Sequence, residues 1–111
     1  MKHIRIIFLF IAAMSLPAVA EDWNNVALVD VMCSAKAKAD PDSHPRDCAL
    51  QCQKSGFGVV TPQGEFLKLD SKGNQEALAL LKSTPKNDHL RVSVSGTRKG
   101  DQISVAKIHM L

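Results

Sequence analysis

Tyrosine is absent from the 111 residues, and beyond the first twenty positions the aromatic side chains are Trp23, Phe57 and Phe66 alone. That is too few for the stacking platform on which single-strand nucleic-acid binders lay bases. An excess of one charge is also missing. Two of the fourteen Lys and Arg, Lys2 and Arg5, stand in the leading segment, so the remainder sets twelve basic residues against eleven acidic ones. A net charge near +1 gives no electrostatic pull toward nucleic acid or an anionic membrane. The sequence contains no G-x-S-x-G, no H-E-x-x-H and no glycine loop of the kind that cradles phosphates. Its carboxylates, from Asp22 and Asp30 through Asp101, show no spacing that places two of them together for acid–base work. There is no internal repeat and no low-complexity tract.

Long apolar runs are scarce as well. The chain opens "MKHIRIIFLFIAAMSLPAVA", with Lys2, His3 and Arg5 ahead of an apolar run from Ile6 to Leu16 and small residues at Ala18 and Ala20. The run is shorter than the ~20 residues of a transmembrane helix. The pattern is that of a secretory signal peptide over residues 1–20 with an A-x-A cleavage site. No cysteine follows that site directly, which leaves a lipid anchor there without an acceptor. The expectation is a mature protein beginning at Glu21, located in the periplasm or outside the cell, with no membrane insertion after cleavage. Residues 21–111 suffice for one small domain, expected to be monomeric.

The remaining sequence divides by its apolar patterns and turn formers. A first strand is predicted over about Val26 to Cys33, where "VALVDVMC" is rich in valine. "SAKAKADPDS" reads as a surface loop. Helix formers from Pro45 to Lys54 follow, with Pro45 at the first helical position, Ser43 or His44 as the cap, and Gly56 as a left-handed stop. "FGVVTPQGEFLKLD" predicts a hairpin turning at Pro62 and Gly64. Ala77, Leu78, Leu80 and Leu81 fall on helical spacing, with Asn74 as the cap and Pro85 as the stop. A last hairpin alternates at Leu90, Val92 and Val94, turns at Gly100 and Asp101, and resumes at Ile103 and Val105. The apolar phase then slips to Ala106, Ile108 and Met110, the mark of a β-bulge.

Chemistry concentrates in "HPRDCALQC", where His44, Cys48 and Cys52 stand at steps of four, with Cys33 upstream. An exported protein meets oxidant, so a structural disulfide between two of the three cysteines is expected. Residues four apart on a helix hold their Cβ atoms about 5–6 Å apart, and a disulfide needs about 3.5–4.5 Å. A Cys48–Cys52 bond would therefore distort the helix. The expected pair is Cys33 with Cys48 or Cys52, worth about 3 kcal/mol as a closed loop. If the thiols stay reduced, Cys33, His44, Cys48 and Cys52 form a Cys3His set suited to zinc or copper. A third use is thiol redox catalysis by Cys48 in the first helical turn beside Arg46, although the C-x2-C spacing of redox motifs is absent. His89 and His109 fall at strand edges, where solvated histidines are ordinary. No catalytic residue and no cofactor are assigned beyond these alternatives.

If the first helix is an insertion, the order of three strands, a helix and two strands resembles the oligonucleotide/oligosaccharide-binding (OB) fold. That resemblance implies a mainly β, five-stranded Greek-key barrel with two helices, one of them inside a cysteine-containing insertion over about residues 34–56. "LVDVMC", the H-x3-C-x3-C segment, "GFGVVTPQGEFLKLD" and "VSVSGTRKGDQISVAKI" together look like a group of small secreted bacterial proteins with no assigned activity. The C-x3-C pair also looks like the copper-binding cysteines of Sco-type chaperones, which carry theirs on a thioredoxin-like domain larger than this chain can form. The expected function is a non-catalytic binding module for an unknown ligand or envelope protein. The alternatives are a copper or zinc protein and a thiol redox protein.

Overall fold

A computed structural model describes residues 20–111. The expected leader lies outside the described residues, apart from Ala20, with which the first strand begins. Five strands close into a barrel: β1 (Ala20–Asp30), β2 (Phe57–Val60), β3 (Phe66–Leu69), β4 (Arg91–Lys99) and β5 (Gln102–Met110). Their order around it is β1-β2-β3-β5-β4, with β4 returning to β1. All neighbours are antiparallel except β3 and β5, which pair in parallel at Lys68 with Gln102 and Leu69 with Ile103. Closure leaves no sheet edge to be protected from pairing with another chain. Among the described residues no helix is long and apolar enough to span a membrane.

The first strand is longer at its start and shorter at its end than its valines suggest. Glu21 and Asp22 are exposed yet pair through their backbones with Gly96 and Ser95 of β4. That pairing is blind to side-chain polarity, so a hydrophobic pattern could not register it. Asn25, at φ 54°, takes a left-handed conformation that Asn tolerates, and the register shifts there between Trp23 and Val26. β1 stops at Asp30 because the Asp30 carboxylate accepts the Cys33 amide at 2.9 Å, a local side-chain turn that competes with the ladder.

Three α-helices are present among the described residues, where two were expected. The stretch expected as a loop folds into α1 (Ser34–Ala37) and a 3-10 turn at Pro41–Ser43. Ala37 has an apolar surface to cover, for it is buried against Val29 and Val60 with Phe66 alongside. The second helix, α2 (Arg46–Gln51), continues into a 3-10 turn at Gln53–Ser55 and ends at Gly56, whose φ of 86° suits glycine. Pro45 is extended and precedes the helix, and neither Ser43 nor His44 caps it, because no side chain bonds its first amides. α3 (Ser71–Ser83) starts three residues before the expected cap. Asp70 takes that role, accepting from the Gly73 amide at 2.9 Å, while Asn74 accepts from the Phe57 amide at 2.8 Å and ties α3 to β2.

The core forms where the alternation points. Val92 and Val94 of β4, Ile103 and Val105 of β5, Leu67 and Leu69 of β3, and Val26 and Leu28 of β1 meet inside, with Ala77 and Leu81 of α3 packed among them. Ala49 of α2 joins the same cluster. The bulge lies where the apolar phase slips: Ser95 faces Lys107 and Gly96 faces Val105, leaving Ala106 without an opposite partner. Arg91 grips Asp42 with two hydrogen bonds of 2.8 Å, and Arg46 donates to the Thr84 carbonyl at 2.7 Å. These contacts fasten the segment between β1 and β2 to the barrel, and that segment carries all the cysteine chemistry.

Candidate functional site

The site grows from the end of β1. By strand alternation Asp30 falls on the face of Val26 and Leu28, and like them it is fully buried. A buried carboxylate is costly unless its oxygens are satisfied. Here they are: Oδ1 accepts from His44 Nε2 at 2.6 Å and Oδ2 from the Cys33 amide. His44 arrives from the residue before Pro45, which holds it out of helical geometry and turned inward toward β1. Its imidazole is thereby the partner of a buried charge.

Around this carboxylate two of the three cysteines converge. One ligand atom each from Asp30, Cys33 and Cys52 lie within 4.8 Å of one another. Cys52 ends α2, and its thiol contacts Met32 Sδ at 3.9 Å. Ser55 fixes both backbones, accepting from the Met32 amide at 3.1 Å and donating to the Cys52 carbonyl at 2.7 Å. Burial pushes the Cys33 thiol above its ordinary value, and the negative charge of Asp30 and the neighbouring Cys52 push it the same way. Beside the cluster opens a cleft of about 320 Å³, lined by Cys33, His44, Cys48, Lys36 and Asp40 among others.

All three cysteines are free thiols, and the expected disulfide is not formed. In place of a covalent bond, Cys33 and Cys52 share the surroundings of the Asp30 carboxylate. Cys48, exposed on α2, is not part of that cluster, and it lines the neighbouring cleft together with Cys33 and His44. The four residues expected as a metal set lie around one region, Cys33 in both the cluster and the cleft. Cys33 and Cys52 come together, His44 is committed through Nε2 to Asp30, and Cys48 lines the cleft. His89, with φ 49°, precedes β4 and bonds Asp88, and His109 lies exposed on β5.

Two participants, Asp30 and Met32, belong to no sequence motif. Asp30 carried a signal, since it is a lone charge inside the valine-rich run "VALVDV". Met32 carried a weaker one in its position next to Cys33. Searches among protein-family models, curated proteins and solved structures match nothing to this chain. What the geometry defines is a small closed barrel with a thiol–carboxylate cluster set at the end of its first strand.

Proposed function

We propose that the protein is an exported OB-like domain, a Greek-key barrel with a helical insertion after its first strand, that binds copper or zinc through Cys33 and Cys52. The observation that carries this reading is the convergence of Asp30, Cys33 and Cys52 ligand atoms within 4.8 Å. Metal–sulfur bonds are about 2.3 Å, so two donors on one ion stand about 4 Å apart. Closing the cluster onto a metal therefore needs displacements below an ångström or so. The negative field of Asp30 that opposes a free thiolate at Cys33 favours a cation beside it. Thiol redox catalysis by Cys48 is the weaker alternative, because the C-x2-C spacing of redox motifs is absent and Cys48 lies outside the cluster.

The ligand set is narrower than Cys33, His44, Cys48 and Cys52 together. For His44 to ligate through Nε2 it would have to abandon a buried carboxylate, and exposed Cys48 is not among the converging ligand atoms. Export is supported by the leader pattern in residues 1–20. Titration of the reduced protein with copper(I) and with zinc tests the reading. A one-to-one complex lost in Cys33→Ser and Cys52→Ser, and kept in Cys48→Ser, is expected. Weak binding that is indifferent to all three substitutions would refute it.

A further inference from the structure

Met32 is an anomaly. It is 72% exposed, the most exposed large apolar side chain among the described residues, while the residues around it are anchored. An exposed methionine alone would mean little. This one holds its sulfur 3.9 Å from Cys52 Sγ, which matches the separation of about 4 Å expected for two sulfurs on one metal ion. Its position is also fixed. The Met32 amide is bonded to Ser55 Oγ, the same hydroxyl that donates to the Cys52 carbonyl, and the Val31 amide is bonded to the Gly56 carbonyl at 2.9 Å. Both backbones are therefore clipped to one turn, and the two sulfurs meet across it.

We propose that Met32 is a third metal ligand, so that Cys33, Cys52 and Met32 form a three-sulfur site selective for copper(I) over zinc. The proposal rests on the reading that Cys33 and Cys52 bind metal, and adds the ion and the ligand that chooses it. Two thiolates and a thioether are a soft set that suits copper(I), whereas zinc is held by thiolate, imidazole or carboxylate, almost always four of them, and a thioether is not among its usual ligands. The nearby hard donor is already engaged, since both oxygens of Asp30 hold protein hydrogens. Copper(I) can bind without disturbing them, whereas zinc, to complete four-fold coordination, must draw on Asp30 or on water. Because Met32 is exposed, one ligand of the ion faces solvent, where a second protein's sulfur could replace it.

The test compares the reduced wild type with Met32→Leu, Cys33→Ser and Cys52→Ser. Copper(I) affinity is read by competition against a chromophoric copper(I) chelator, and zinc affinity against a chromophoric zinc chelator. Leucine keeps the size and exposure of the side chain, so folding should be untouched. Met32→Leu should lower copper(I) affinity at least ten-fold and leave zinc affinity within two-fold, and the serine variants should lose both metals. Carbon-13 methyl spectra give an independent reading: copper(I) should shift the Met32 resonance, with Met110 on β5 unmoved as the control. If Met32→Leu binds copper(I) within two-fold of wild type and the Met32 methyl does not shift, Met32 is not a ligand, while loss of binding in the serine variants would still leave the cysteine site standing. If the serine variants bind as wild type does, the cysteine site and the three-sulfur site fall together.

Discussion

His44 presses its Nε2 against the buried carboxylate of Asp30 at 2.6 Å, joining residues fourteen apart in sequence. With its side chain 10% exposed and that of Asp30 fully enclosed, the pair is largely shielded from solvent. Removing one partner strands the other. His44→Ala should destabilise the protein by about 3 kcal/mol, read from denaturant midpoints, well above the ~1 kcal/mol of a helix cap. Asp30→Leu combined with His44→Ala should recover part of that loss, because no unpaired buried charge remains. Equal stability of His44→Ala and wild type would mean the imidazole acts only at the surface.

The Arg91–Asp42 pair gives a dependence on pH whose sign is fixed. The Arg91 hydrogen bonds hold the Asp42 carboxyl below the ordinary carboxylate range. A group whose folded pKa is depressed contributes its stability in full above the unfolded value and loses it as pH falls through the folded one. Asp42→Asn should therefore cost about 1 kcal/mol at neutral pH, the partial exposure of the pair limiting the effect. The gap between variant and parent should close in acid, as the pH drops below the ordinary value of 3.8. Thermal melts of both proteins across that range check it; a gap that persists in acid would assign the effect to something other than the ion pair.

Much of the barrel was legible in the sequence and much of the site was not, for different reasons. Val92, Val94, Ile103 and Val105 alternate because one face of β4 and β5 is buried, and Ala106 breaks the phase where the bulge falls. The four residues of α1 give no period in the sequence, and its helix is stabilised by the burial of Ala37 on the barrel wall. Asn74 has the chemistry of a capping residue, but tertiary contact with Phe57 claims it, and Asp70 caps α3. The cysteine cluster depends on the angle at which the segment from α1 to Gly56 folds back onto β1. No local spacing encodes that angle, so His44 looked like a partner for Cys48 and proved to be a partner for Asp30.

The barrel interior also sets a packing limit at Gly96, next to the bulge. A Cβ there would run into the backbone carbonyl of Ser104 on β5, which cannot move aside as a side chain could. Gly96→Ala should cost about 2 kcal/mol, comparable with other overpacked positions. A melting temperature within a degree of wild type would show that the β4–β5 pairing yields there.

Charge placed inside the barrel tests the inner face directly. Val92 is fully buried, and Val92→Asp should cost several kcal/mol because the carboxylate would find no partner. The protein should melt far below the parent or fail to accumulate. A variant with near-parental melting would put the wrong face inside.

Whether Cys33 and Cys52 hold a metal ion is tested most directly by counting reactive thiols in protein isolated from cells without added reductant, with and without a strong copper and zinc chelator. Cys48 is exposed and should react in either case. With metal on Cys33 and Cys52, one thiol should react before chelation and three after it. One thiol reacting both before and after chelation, rising to three only when a reductant is added, would show the pair oxidised to a disulfide and contradict the metal site.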